Sequence, residues 1–179
     1  IHLKSMYPFH RTRMEFQIVT WDSKDNDDGD FVIQMFGCNK NGKSVYCETK
    51  FTPYFFIEVP NHYQEYHVRN YLEDKLHNKV LKDLVGVRMV HRKKFYGFTN
   101  NKVFRFANIV FSSKAAWKTA YYTIRKDPRY SKNIYEANID PILRLIHLTK
   151  IQSTGWICVS KYSEIGEEEK TTSCDVEIQ

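Results

Sequence analysis

The chain has 179 residues, of which 42% are hydrophobic and 15% aromatic, with 12 Tyr and 12 Phe. A chain of this length buries roughly 70% of its unfolded surface, and this composition excludes disorder and favours a β-rich fold. The 27 Lys and Arg exceed the 21 Asp and Glu, for a net charge of +6 and a pI near 9.0, so polyanions are the natural partners.

Other classes fall away on simple grounds. No apolar run approaches the roughly 18 residues needed to cross a bilayer and no signal-peptide pattern opens the chain, so neither a membrane partner nor secretion is expected. The four cysteines, Cys38, Cys47, Cys158 and Cys174, form no C-x-x-C pair, which predicts reduced thiols in a nuclear or cytosolic setting. Acidic residues concentrate in Asp22–Asp30 and Glu164–Glu169, leaving the middle, from about Lys75 to Lys132, strongly basic. The chain begins with Ile1 and stops at Gln179 inside the strand-like CDVEIQ, so it reads as a piece of a longer protein.

Taken in order, MEFQIVTWD (Met14 to Asp22) and DFVIQMFGC (Asp30 to Cys38) alternate as strands. The Asn41-Gly42 pair signals a hairpin, with both residues tolerating positive φ, and SVYCETKF supplies a third strand. TPYFFIEVP (Thr52 to Pro60) is a continuous apolar strand, and His62 to Lys79 then adopts helical spacing. LVGVRMVHRKKFYGF (Leu84 to Phe98) and VFRFANIVF (Val103 to Phe111) return to β character around a TNNK turn. SSKAAWKTAYYTIRKDP is a second helix ended by Pro128.

The stretch from Thr52 to Pro128 thus has the order of a ferredoxin-like or RRM-like layer, two helices over one face of an antiparallel sheet. The fold class is α+β. An antiparallel OB-like β subdomain comprises 1–51 and 149–179, an RRM-like α/β subdomain comprises 52–134, and 135–148 is a helical seam. The late strands STGWICVSKY and TTSCDVEIQ join the N-terminal meander, because two or three strands alone are marginal in water. In YEANIDPILRLIHL, Asp140 suits an N-cap and Pro141 the first helical position, with Ile142, Leu143 and Ile146 on the buried side and Arg144 and His147 on a neighbouring face.

The site-like feature is the run ending in RKKFYGF, because cations neutralise phosphates while aromatic faces stack on bases. Its candidate nucleic-acid-binding residues are Arg92, Lys93, Lys94, Phe95, Tyr96 and Phe98. Three other patterns weigh less. DSKDNDDGD fails as a calcium loop, since Gly29 at the sixth position puts Lys24 at the first and Met35 at the twelfth. Asp175 and Glu177 have the D-x-E spacing of two-metal exonucleases, but the pair reads as the exposed face of a peripheral strand. The seven histidines lack ligand spacing and no phosphate loop is present, so no catalytic and no metal residue is assigned.

YEANIDPILRLIHLTKIQSTGW resembles the segment that family B DNA polymerases carry between their N-terminal and 3′-5′ exonuclease domains. The likeness is to eukaryotic delta-type enzymes and, more closely, to those of large eukaryotic DNA viruses. Tyr135, Glu136, Ala137, Asn138, Ile139, Arg144, Gly155 and Trp156 carry it, with Asp140 in the same motif. F-x-I-x-x-W-D (Phe16 to Asp22), the turn from Phe36 to Val45, P-Y-F-F-I (Pro53 to Ile57) and Tyr96-Gly97-Phe98 fall in the family's order, so the likeness spans nearly the whole chain.

The resemblance implies the non-catalytic N-terminal domain of a DNA-directed DNA polymerase with 3′-5′ exonuclease activity. Its F-D-x-E and D-T-D motifs are not in these residues. The domain would contact single-stranded template and scaffold the exonuclease and polymerase domains. The implied partners are primer-template DNA, those domains and a processivity factor. Mg2+ is expected for the parent enzyme and no cofactor for this part of it. The setting would be the nucleus or a cytoplasmic viral replication site. A free-standing RRM-like or OB-like single-strand binding protein is the alternative, and a small metal nuclease using Asp175 and Glu177 a third reading.

Overall fold

A computed structural model describes residues 13–94, 97 and 99–179. Its α+β fold contains two sheets, and the chain divides into two compact units. The described part of the first is 13–24, Val32–Lys50 and Pro141–Gln179; the second is Asp25–Phe31 and Phe51–Asp140. The division after the inserted segment falls between Asp140 and Pro141.

The first unit is built on β1 (Met14–Asp25), β2 (Phe31–Asn39), β3 (Ser44–Lys50), β8 (Gly155–Val159) and β9 (Val176–Ile178), in the order β8-β1-β2-β3-β9. Alternation is the cause of burial: Phe16 and Ile18 of β1, Met35 of β2 and Val45 and Cys47 of β3 line one face and form a core with Tyr162, Val176 and Ile178. Burial also pushes the Cys47 thiol up to about 12, leaving it inert. The sheet is not purely antiparallel, because β9 runs parallel to β3 through Val45–Val176 and Cys47–Ile178. Beyond β8 the chain pairs with the far side of β9, where the Ser163 and Gln179 backbones exchange hydrogen bonds of 2.9 Å and Ile165 N–H donates to Glu177 O. The sheet therefore curls until its two ends meet through one stretch of chain.

Two turns differ in detail from expectation. At Asn39–Lys43 only Gly42 takes positive φ (79°), and the Asn39 side chain accepts from the backbones of Asn41 and Lys43. The tight pair of left-handed residues is instead Asn100 and Asn101, at φ 47° and 61°.

In the second unit β4 (Tyr54–Glu58), β5 (Leu84–Lys93), β6 (Val103–Phe111) and β7 (Ile134–Tyr135) form an antiparallel sheet in the order β5-β6-β4-β7. With α1 (Glu65–Lys75), the short α2 (Asn78–Leu81) and α3 (Lys114–Arg125), this is the split βαβ arrangement. Ser113 caps α3 by accepting from Ala116 N–H at 3.1 Å. Phe55, Ile57, Ala107, Ile109 and Val87 point toward the helices and pack with Leu72, Trp117, Ala120 and Ile124.

Two expectations need correction. In α4 (Pro141–Thr149) the buried residues are Pro141 and Arg144, whereas Leu143 is 62% exposed. The helix wheel set the apolar residues inward, but which stripe is covered depends on the neighbours and not on the helix. Likewise Glu177 is buried rather than exposed, at 4%. Its carboxylate accepts from the backbone and hydroxyl of both Thr171 and Thr172, at 2.9 to 3.2 Å. Asp175 accepts from Ser44 N and Oγ at 2.8 and 2.7 Å. Both carboxylates are thus occupied by loop closure.

Candidate nucleic-acid interface

The helices cover one face of the second sheet, so alternation aims every other residue of β4, β6 and β7 at the opposite face. The register puts Phe56 beside Tyr135 on one side and Asn108 on the other, with Glu58 beside Phe106. That face is aromatic: Tyr54 meets Phe56 edge-on at 5.6 Å, and Phe106 meets Tyr135 edge-on at 5.2 Å. Asn108 buries an Oδ1 that has no hydrogen-bond partner.

A pocket of about 530 Å³ opens here. Phe56, Phe106 and Tyr135 supply its apolar wall, while Arg92, Lys93, Lys94, Thr99 and Glu136 supply the polar one. Arg92 and Lys93 are exposed at the end of β5, and their side chains donate to neutral oxygens, His91 O and Asn101 Oδ1, both at 3.3 Å. They remain available to an anion.

Lys94 is different. Its ammonium lies 2.6 Å from Glu58 Oε2 and 4.0 Å from the Phe104 ring centre, and the Tyr135 hydroxyl donates to the same Glu58 oxygen at 3.0 Å. Burial pulls the Lys94 ammonium down, but hydrogen bonds to Glu58 and Tyr135 outweigh it, and the net shift is upward. Burial and Glu58 likewise raise the Tyr135 hydroxyl, against a smaller opposing pull from Lys94. Lys94 is therefore a fixed, internally neutralised cation that braces the pocket wall. Phe95, Tyr96 and Phe98 lie outside the described residues.

The motif residues separate by role. Tyr135 and Glu136 reach the pocket, and Glu136 does so from a left-handed conformation, φ 59°. Ala137 beyond it is buried in the helix-side core, where a small residue is needed. Asn138 and Asp140 are exposed. Arg144 is buried, Trp156 is 53% exposed, and Gly155 takes φ 139°, which a side chain disfavours. These last three belong to the first unit, whereas the residues lining the pocket belong to the second. Among the described residues, no three His, Cys, Asp or Glu converge as a metal site.

Reading the sequence missed Phe56, Phe106 and Tyr135 as one platform. The available signal was PYFFIE, a strand apolar on both faces beside a single helical layer, which leaves its second aromatic face outside the helix-packed core.

A solved structure shares this fold. The family B DNA polymerase from the hyperthermophilic archaeon Pyrobaculum calidifontis matches 93% of this chain and 20% of its own with a TM-score of 0.69, at 18% identity. No family model matches the chain. Sequence relatives are more particular. The DNA polymerase of Acanthamoeba polyphaga mimivirus is 30% identical over 83% of the chain and 10% of its own length. That of Pyramimonas orientalis virus is 27% identical over 91% and 15%. The DNA polymerase delta catalytic subunit of Drosophila melanogaster is 27% identical over 70% and 13%. The chain is thus homologous, over most of its length, to a segment of viral and delta-type DNA polymerases, and it spans only 10 to 15% of these relatives.

Proposed function

We propose that this chain is the N-terminal, non-catalytic part of a family B DNA-directed DNA polymerase, and that its second unit holds single-stranded template. The carrying observation is the pocket with an aromatic wall and two available cations, Arg92 and Lys93, on the face of an RRM-like sheet opposite its helices. A base would stack against Phe56 or Tyr135 while Arg92 and Lys93 neutralise its flanking phosphates. The first unit, with the exposed Trp156, Leu143 and Val19, serves in this reading as scaffold for the exonuclease and polymerase parts.

Magnesium belongs to the parent polymerase's own active site, because Asp175 and Glu177 are committed to Ser44, Thr171 and Thr172. The relatives are far longer polymerases, which favours this reading over a free-standing binding protein. The parent chain then acts at a replication site, nuclear or in the cytoplasm of infected cells.

Fluorescence anisotropy with a labelled single-stranded oligonucleotide tests the reading. Binding should weaken with salt, and Arg92→Ala with Lys93→Ala should reduce the salt slope by about 1.4, or roughly 0.7 per phosphate contact. Phe56→Leu should cost about 1 to 3 kcal/mol of binding. Affinity that ignores salt, or is untouched by both variants, refutes it.

A further inference from the structure

Between Leu84 and Lys126 the sequence holds ten Lys and Arg and no Asp or Glu. The pocket uses only the cations of the β5–β6 end. The rest of that charge includes α3, a 12-residue helix without a carboxylate. The neighbouring α1 carries Glu65, Glu73 and Asp74 against Arg69 and Lys75, so acid-free composition is not a property of the helical layer.

On α3, Ala116, Trp117, Ala120 and Ile124 face the core, and Lys118, Tyr122 and Arg125 therefore share the solvent side, with Lys126 one turn beyond Tyr122. Tyr122 is 57% exposed between these cations. Arg125 Nη1 donates to the Tyr121 hydroxyl at 3.1 Å, and the Asp127 carboxylate nearby is taken by Arg129 at 2.7 Å. Among the described residues, neither Lys118, Arg125 nor Lys126 has a carboxylate partner.

The helix start does not supply the anion site. Asp25 already accepts from Lys114 N–H at 2.7 Å and Ala115 N–H at 3.0 Å, and the Lys114 ammonium sits 5.3 Å from the Phe31 ring. The helix dipole accounts for cations in the last turn, Arg125 and Lys126, but not for Lys118 in the middle. An anion must approach from the side, along the stripe.

We propose that the solvent face of α3 is a second nucleic-acid contact, in which Lys118, Arg125 and Lys126 bind consecutive phosphates and Tyr122 packs on the intervening sugar or base. The proposal rests on the nucleic-acid reading of the chain, but not on the pocket. The side chains of the stripe point away from the sheet whose other face bears the pocket, so the few nucleotides seated there cannot also cover this side of the helix. The stripe engages a separate stretch, single-stranded or duplex.

The test is a Lys118→Ala, Arg125→Ala, Lys126→Ala variant of the 179-residue chain. Alanine is the best helix former, so the helix should persist, as circular dichroism would check. Affinities for a 30-nucleotide single strand and a 30-base-pair duplex are measured by anisotropy between 50 and 200 mM NaCl. The expected result is an affinity loss of at least about tenfold at 50 mM and a salt slope lower by about 2, since each lost phosphate contact removes roughly 0.7 to 0.9. Whichever probe shows the larger change identifies the form bound. Wild-type binding with an unchanged slope in the triple variant overturns the stripe alone, while loss confined to the Arg92→Ala, Lys93→Ala variant leaves only the pocket. Wild-type chain that binds neither probe overturns both readings, and a preference of the stripe for an acidic peptide over either probe overturns the nucleic-acid assignment.

Discussion

Glu177→Gln isolates the electrostatics of loop closure, because it preserves shape while replacing an acceptor with a donor. Glu177 Oε2 accepts from Thr171 N, Thr172 N and Thr172 Oγ1, and Oε1 accepts from Thr171 Oγ1. Hydrogen bonds to a charged group are worth about 1.5 to 3 kcal/mol each. The hydroxyls can reorient and the Gln carbonyl can keep both backbone donors at the Oε2 position, but as neutral bonds worth about 0.5 to 1.5 kcal/mol each, so the cost should be about 2 to 3 kcal/mol. With an m-value of about 2 kcal/mol per M, the urea midpoint falls by roughly 1 to 2 M. Tryptophan fluorescence suits the measurement, since Trp21 and Trp156 both lie in this unit. A metal-binding Asp175 and Glu177 pair predicts the opposite sign: without metal, Gln would relieve repulsion and raise the midpoint, and magnesium would protect the wild type. A Gln variant within 0.5 kcal/mol of wild type, on the scale of ordinary surface changes, would refute the reasoning.

Other positions give independent checks. Gly37→Ala would bring a Cβ to 2.0 Å from Gln17 O and 2.8 Å from Phe16 Cδ2, so β1 and β2 must separate; calorimetry should show a loss of about 3 kcal/mol. Glu136→Gly should lie within about 1 kcal/mol of wild type and Glu136→Val should lose about 1 to 2, because only the first accepts φ 59° without strain. The Arg129 side chain and backbone, followed by Tyr71, hold the Asp127 carboxyl well below the usual carboxylate range. That stabilisation is present above the unfolded value, near pH 4, and is lost as pH falls through the lower folded one, so thermal midpoints of Asp127→Asn should flatten only on the acid side. Lys94→Ala should lower the melting temperature while leaving the salt slope of oligonucleotide binding unchanged, since its charge is spent on Glu58.

Local rules carried the elements. Period-two burial marked β1 and the end of β6, and Pro141 began α4, because each signal acts within a few residues. What failed was information held by distant neighbours. The wheel of α4 cannot say that Arg144 is covered and Leu143 is not. Nothing near Lys94 shows that Glu58 will neutralise it, since only the pairing of β4, β5 and β6 brings them together. The same register reveals the pocket, by sorting the two aromatic faces of PYFFIE into a core face and an open one. Of the residues that line the pocket, Arg92, Lys93 and Lys94 were legible as binding candidates, whereas its described rings were not.

The insertion of one unit within the other also dictates an order of events during synthesis. Trp21 Nε1 donates to Ser153 O, 132 positions later, and Ser44 waits 131 positions for Asp175. At about 5 to 20 residues per second, β1 to β3 emerge roughly 7 to 26 seconds before the strands that complete their sheet. The intervening unit, nearly continuous from Phe51 to Asp140, can close its own core meanwhile. Until then the outer edges of the early meander are open to wrong pairing, and a chaperone or slow codons after Asp140 would act on that interval rather than on the finished fold.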